Sequence, residues 1–168
     1  MKRQSAYGFS IGNYGYIGLG LNYETTTLLR DVWKFDPATN AWTQVADYGG
    51  TARTGQVAFT IGSFAYVGSG SDGYPSYRFR KDFWRYDPSN NTWTAVADFP
   101  GTARESMCGF AIGTKGYCGT GWNGGIFSDF WSTKLSMILG HNVLHSLVER
   151  EKQFLPSLFK TMDIWVQD

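Results

Sequence analysis

An all-β protein made of repeated four-stranded units is predicted by three observations. The composition combines 21 Gly with 7 Trp, 10 Tyr and 12 Phe, a profile of short glycine-punctuated strands packed around large rings. The string Asp82-Phe83-Trp84-Arg85-Tyr86-Asp87-Pro88-Ser89-Asn90-Asn91-Thr92-Trp93-Thr94 nearly repeats Asp31-Val32-Trp33-Lys34-Phe35-Asp36-Pro37-Ala38-Thr39-Asn40-Ala41-Trp42-Thr43, and it begins again at Asp129-Phe130-Trp131. The chain also aligns on itself at an offset of about 50 residues, the signature of a long-period repeat. Arg3, Arg53 and Arg104 correspond, as do Phe9, Phe59 and Phe110, then Tyr16, Tyr66 and Tyr117. The match continues through Gly18-x-Gly20, Gly68-x-Gly70 and Gly119-x-Gly121 to Trp33, Trp84 and Trp131.

Each full unit reads as four short strands. Gln56 to Ile61 and Ala65 to Ser69 are apolar segments separated by Gly62-Ser63, and glycine in the first position suits a type II′ hairpin turn. A longer polar segment, Ser71 to Lys81, leads to a third strand at Phe83 to Tyr86. Asp87-Pro88-Ser89-Asn90-Asn91 then turns the chain, because proline fixes φ while Asp and Asn side chains cap the backbone, and Thr92 to Val96 follows as the fourth strand. Four antiparallel strands per repeat make one propeller blade.

With these features the chain resembles the kelch repeat family of β-propellers. The resemblance rests on the glycine pair ending the second strand and on an aromatic residue followed by Trp, Phe35 to Trp42 and Tyr86 to Trp93. Kelch repeats usually carry adjacent glycines, whereas here one residue separates them. The resemblance covers about residues 3 to 131 and implies radially packed blades with long loops exposed at the ends of the wheel. It divides the chain into units 3–52, 53–103 and 104–131, with a divergent tail at 132–168. The expected fold is therefore an incomplete kelch-type β-propeller of about two and a half blades, where a closed one has typically 4 to 8.

In the tail, Leu139, Val143, Leu144, Leu147 and Val148 have helix-like spacing, and Phe154-Leu155-Pro156 would stop a helix. A different account comes from the genetic code. If one nucleotide were missing after the Trp131 codon, the shifted frame would allow Thr-Trp-Thr from Ile138 to His141 and Gly-Tyr-Leu-Gly-Thr-Gly from Met162 onward, both in repeat register. The tail is thus expected to be a non-native, out-of-frame reading of the rest of blade three and the start of a fourth. The nucleotide sequence checks this directly.

Charge and composition remove several function classes. Lys and Arg number 15 against 14 Asp and Glu, so no net field draws the chain to nucleic acid or an anionic membrane. No stretch approaches membrane-spanning length, and Met1-Lys2-Arg3 leads into no apolar signal region. Cys108 and Cys118 stand where the preceding unit has Val57 and Val67, so both are expected to be small buried hydrophobes. His141 and His145 share a helical spacing but have neither the Glu of a zinc-protease helix nor a third ligand, so no metal site is expected. The repeats contain no histidine, which removes triad chemistry and the copper centre of the galactose oxidases, also kelch-like propellers. The Gly-x-Gly sites match no phosphate loop and read as packing glycines. No cofactor is expected.

Function is expected in what varies between repeats. The recurring Arg53, Arg104, Asp82 and Asp129 read as a structural network, with a ring of charges around a central ligand as the sharper alternative. Gly18, Gly20, Trp33, Trp42, Gly68, Gly70, Trp84, Trp93, Gly119, Gly121 and Trp131 are the structural positions of the repeat. The variable segment between the glycine pair and Asp-x-Trp supplies Tyr74, Tyr77, Arg78, Arg80 and Trp122, residue types that dominate hot spots and sugar platforms, and these are the expected binding residues. The leading expectation is a non-catalytic scaffold binding a protein or glycan, part of a larger propeller and self-associating through open blade edges. The alternatives are a remnant of a kelch-fold enzyme acting on carbohydrates and a non-functional reading frame. The resemblance implies a secreted or cell-surface parent; the chain itself carries no address.

Overall fold

The computed structural model describes residues 2–73 and 76–133 and the backbone of Trp165–Gln167. The expected helix spacing, the two histidines and most of the proposed out-of-frame segment lie outside those residues.

Three four-stranded antiparallel sheets make up the fold. Blade one is β1 (Tyr7–Ile11), β2 (Tyr14–Gly18), β5 (Val32–Asp36) and β6 (Ala41–Val45), with a small hairpin of β3 (Leu21–Asn22) and β4 (Thr27–Leu28) in its long loop. Blade two is β7 (Val57–Ile61), β8 (Phe64–Gly68), β9 (Phe83–Asp87) and β10 (Thr92–Val96). Blade three is β11 (Cys108–Ile112), β12 (Lys115–Gly119), β13 (Phe130–Thr133) and β14 (Trp165–Gln167). Its fourth strand comes from the tail, with Trp131 opposite Gln167 where Trp84 faces Ala95 in blade two. A half blade was expected there; the sheet is completed because the edge of β13 offers unpaired backbone groups that a distant segment satisfies.

The turns follow from residue chemistry. Ile61 pairs with Phe64 across Gly62-Ser63, and Gly62 has φ +59° while Ser63 stays out of the left-handed region, as a type II′ turn requires. At the other hairpin the Asp87 carboxylate accepts the Ser89 backbone N–H at 2.9 Å, and Asp36 does the same for Ala38 at 2.9 Å.

Blades pack face to face through aromatic layers. Blade one lays Tyr7, Phe9, Ile11 and Tyr16 against Ala58, Ala65, Val67, Tyr86 and Trp93 of blade two. Blade two lays Val57, Phe59 and Ile61 against Ala111 and Cys118 of blade three. Phe9 stacks on Tyr16 with centroids 4.8 Å apart, and Tyr86 meets Trp93 at 4.9 Å. Cys118 is buried as expected of a Val replacement, but Cys108 is exposed. The difference is positional: Val57 is covered by blade three, while no unit among the described residues covers the same face of blade three.

Candidate loop-end binding surface

One network recurs in every blade and shapes the end of the wheel that carries the long loops. Arg53 donates to both carboxylate oxygens of Asp82, at 2.7 and 2.9 Å, and to the Ser69 carbonyl at 3.1 Å. Trp84 Nε1 donates to the same carboxylate at 2.9 Å. Arg104, Asp129, Thr120 and Trp131 repeat the pattern, as do Arg3, Asp31, Leu19 and Trp33. Burial alone would raise the Asp31 and Asp82 carboxyls, but the guanidinium and indole hydrogen bonds outweigh it, so both titrate below the usual range. At Asp129 the Arg104 hydrogen bond is the leading cause of the same lowering. These are ion pairs within single blades. Arg53 and Arg104 are almost fully buried, so neither reaches a central ligand.

The Gly-x-Gly pair belongs to this network. Leu19, Ser69 and Thr120, between the glycines, adopt φ of 54°, 60° and 60°, which turns their carbonyls onto the arginines. The second glycine must be glycine: φ at Gly70 is +91° and a Cβ there would lie 2.6 Å from the Thr54 carbonyl oxygen. Its N–H donates to the Arg104 carbonyl at 2.8 Å, as Gly20 does to Arg53 at 2.9 Å, so the first two glycine pairs tie their blades to the next. The inserted residue that distinguishes these repeats from adjacent-glycine ones therefore carries the carbonyl that seats the arginine.

Between blades one and two this end opens into a groove of about 960 Å³. Arg30, Arg53, Arg80 and Lys81 line it against Asp82 and Asp98, so cations outnumber carboxylates. Arg53 is committed to Asp82, and Arg80 to Asp72 at 2.6 Å. Arg30 and Lys81 are half exposed and, among the described residues, hold only long contacts, 3.8 Å to Asp47 and 4.0 Å to Asp98. Phe79 forms a wall of the groove and continues into an aromatic cluster, stacked on Tyr77 at 6.1 Å and edge-on to Trp122 at 5.4 Å. Tyr77 and Trp122 meet edge to face at 5.9 Å, from loops of different blades.

Among the sequence-derived binding residues, Tyr77, Arg78, Arg80 and Trp122 thus lie on one surface, and Tyr74 lies outside the described residues. Arg78 is exposed and contacts Asp72 at 3.3 Å. Arg30, Lys81 and Phe79 were not singled out. Arg30 and Lys81 precede the Asp-x-Trp strings, and that place in each unit was the available signal. Glu105 was also passed over. It follows Arg104 where other units have Gln4 and Thr54, and burial raises its carboxyl above the ordinary value.

The repeated sheets and their packing define a β-propeller built from sequence repeats. The Kelch motif matches residues 15–47 and 70–100, so the chain carries kelch-type repeats. Kelch-like protein 35 of Mus musculus is 40% identical over 72 residues, covering 42% of this chain and 12% of that protein. N-acetylneuraminate epimerase of Escherichia coli strain K12 is 28% identical over 150 residues, covering 68% of this chain and 39% of the enzyme. The Shigella flexneri enzyme of that name is 27% identical over the same length. The solved structure of YjhT superposes with a TM-score of 0.68 at 20% identity, covering 80% of this chain and 50% of that one. The chain therefore spans about two-fifths of the epimerases it matches.

Proposed function

We propose that this kelch scaffold binds an acidic glycan at its loop end, with the sugar carboxylate on Arg30 and Lys81 and its ring against Phe79, Tyr77 and Trp122. One observation carries this reading: the cation-lined groove runs through Phe79 into an exposed aromatic cluster. An anionic pyranose presents that combination of groups, since a carboxylate is held by charge-assisted hydrogen bonds and a sugar's C–H face by aromatic rings. The relatives named for N-acetylneuraminate, a carboxylated sugar, support the ligand class. We assign the chain no catalytic step.

Calorimetric titration with N-acetylneuraminate and with the uncharged N-acetylmannosamine tests this. Binding of the acid alone is expected, weakened by salt, and Arg30→Ala or Lys81→Ala should each cost about tenfold in Kd. Equal binding of the neutral sugar would remove the role of the cations. Binding of neither sugar by a folded chain would move the surface to a protein ligand.

A second reading is favoured by the epimerase relatives, with Glu105, partly buried and with its carboxylate beside Gly55, as the candidate proton carrier. Under that reading the chain is part of a carbohydrate-acting enzyme. Incubation with N-acetylneuraminate followed by NMR should then show faster anomer or epimer exchange, lost in Glu105→Gln; an unchanged rate would reject it.

A further inference from the structure

The junctions inside the molecule show what covers a blade. At the junction of blades two and three, a Cβ at Gly109 would lie 2.4 Å from Val57 Cγ2, and one at Gly116 would lie 2.2 Å from the Phe59 ring. The side chains of β7 therefore sit in two glycine seats on the next blade. Blade one has the same seats two units earlier, at Gly8 and Gly15. There a Cβ would meet only its own sheet, the Tyr16 carbonyl oxygen at 3.5 Å and Phe35 Cβ at 3.8 Å. Beside the seats, Ile17 is 36% exposed and Trp42 52%, and with Arg3 and Trp33 they line a hollow of about 380 Å³.

The opposite end of the molecule carries the complementary half. Cys108, Phe110 and Ile112 are the counterparts of Val57, Phe59 and Ile61, and all three are exposed. One chain thus presents both sides of its own blade junction, unpartnered among the described residues.

We infer that two copies of this chain associate head to tail, with Phe110 of one copy seated on Gly15 of the second and Cys108 over Gly8. Such a contact is heterologous, and it closes only if the rotation between copies returns on itself. The described residues of each copy form three blades, so a closed pair has about six, within the range of closed propellers. The pairing buries apolar rings that each copy alone leaves in water. It is independent of the sugar reading, since the faces lie between blades and not at the loop end.

Gly8→Cys in the full chain tests the register. Gly8 has room for a side chain, and Cys108 is exposed while Cys118 is buried, so mild oxidation should link position 8 of one copy to Cys108 of the other. Non-reducing electrophoresis with peptide mass mapping reads the link, and adding Cys108→Ser should abolish it. Sedimentation of Gly15→Leu and Ile112→Asp gives a second measurement. Each variant alone should lose the association of the parent, and an equal mixture should recover a complex, because each retains the face the other lacks. A monomer at every concentration without the 8–108 link would overturn the proposal, leaving these faces to blades of another chain. So would links only between two Cys108 residues, or a mixture that fails to complement.

Discussion

Blade two and blade three have nearly the same inner strand in opposite circumstances. Val57, Phe59 and Ile61 of β7 are 3%, 4% and 6% exposed, while Phe110 and Ile112 of β11 are 47% and 65% exposed. Nothing in the strands themselves accounts for this. Both pair in the same register with a following strand, Phe59 with Tyr66 and Phe110 with Tyr117. The difference is that β7 lies against another blade. In a propeller a blade's core is therefore completed by its neighbour, and identical sequence positions contribute unequal stability according to their place in the row.

The largest effect that would break this comparison comes from the buried ring. Phe59→Ala is expected to cost about 3–5 kcal/mol, and Phe110→Ala in dilute protein about 0.5 kcal/mol or less, both read as urea midpoints. Equal losses would mean that blade three is as well covered as blade two.

Nearly as large is the buried guanidinium. Arg53 and Arg104 are lidded by aromatic rings from the preceding linker, Tyr48 at 5.2 Å and Phe99 at 5.1 Å from the guanidinium carbon. Among the described residues Arg3 has no such lid. Removing one partner of a buried ion pair strands the other, so Arg53→Ala should cost about 3–5 kcal/mol and Arg3→Ala clearly less in the same melts.

Acid should sharpen the contrast further. The Asp82 and Asp129 carboxyls titrate lower in the fold than in an unfolded chain, whose Asp value is about 3.9. Their stabilisation is complete above that value and is lost as pH falls through the lower folded values. Thermal melts should therefore weaken from about pH 4 downward, and Asp82→Asn should flatten that slope.

A smaller effect is expected at the lid's hydroxyl. Tyr48 donates to the Val67 carbonyl at 3.3 Å and packs on Trp93 at 5.1 Å. Tyr48→Phe should cost about 1 kcal/mol, against several for Tyr48→Ala, because the ring and not the hydroxyl fills the space between blades.

Most of the fold was legible in the sequence because its determinants are local and repeated. Gly62-Ser63 selects a hairpin turn, Asp87-Pro88 selects another, and period-2 strands lie between them. The candidate surface was legible only in part. Tyr77, Arg80 and Trp122 stood out as residue types on variable segments, but no spacing rule places Tyr77 against Trp122, which belongs to another unit. The roles proposed for Arg30 and Lys81 depend on a groove that forms only when two blades pack. The exposure of Cys108 was misread for the same reason, since burial of Val57 is supplied by blade three and not by its own strand.

The sequence by itself determined the unit: four strands, two kinds of turn, the glycine pair, and an arginine, aspartate and tryptophan recurring in phase. Short-range sterics and backbone hydrogen bonding are enough to specify these. Tertiary structure alone decided which faces are covered, which loops meet, and which segment completes the third sheet. Those outcomes depend on contacts between residues about one repeat apart or more, where each partner's surroundings are set by the packing and not by its neighbours along the chain.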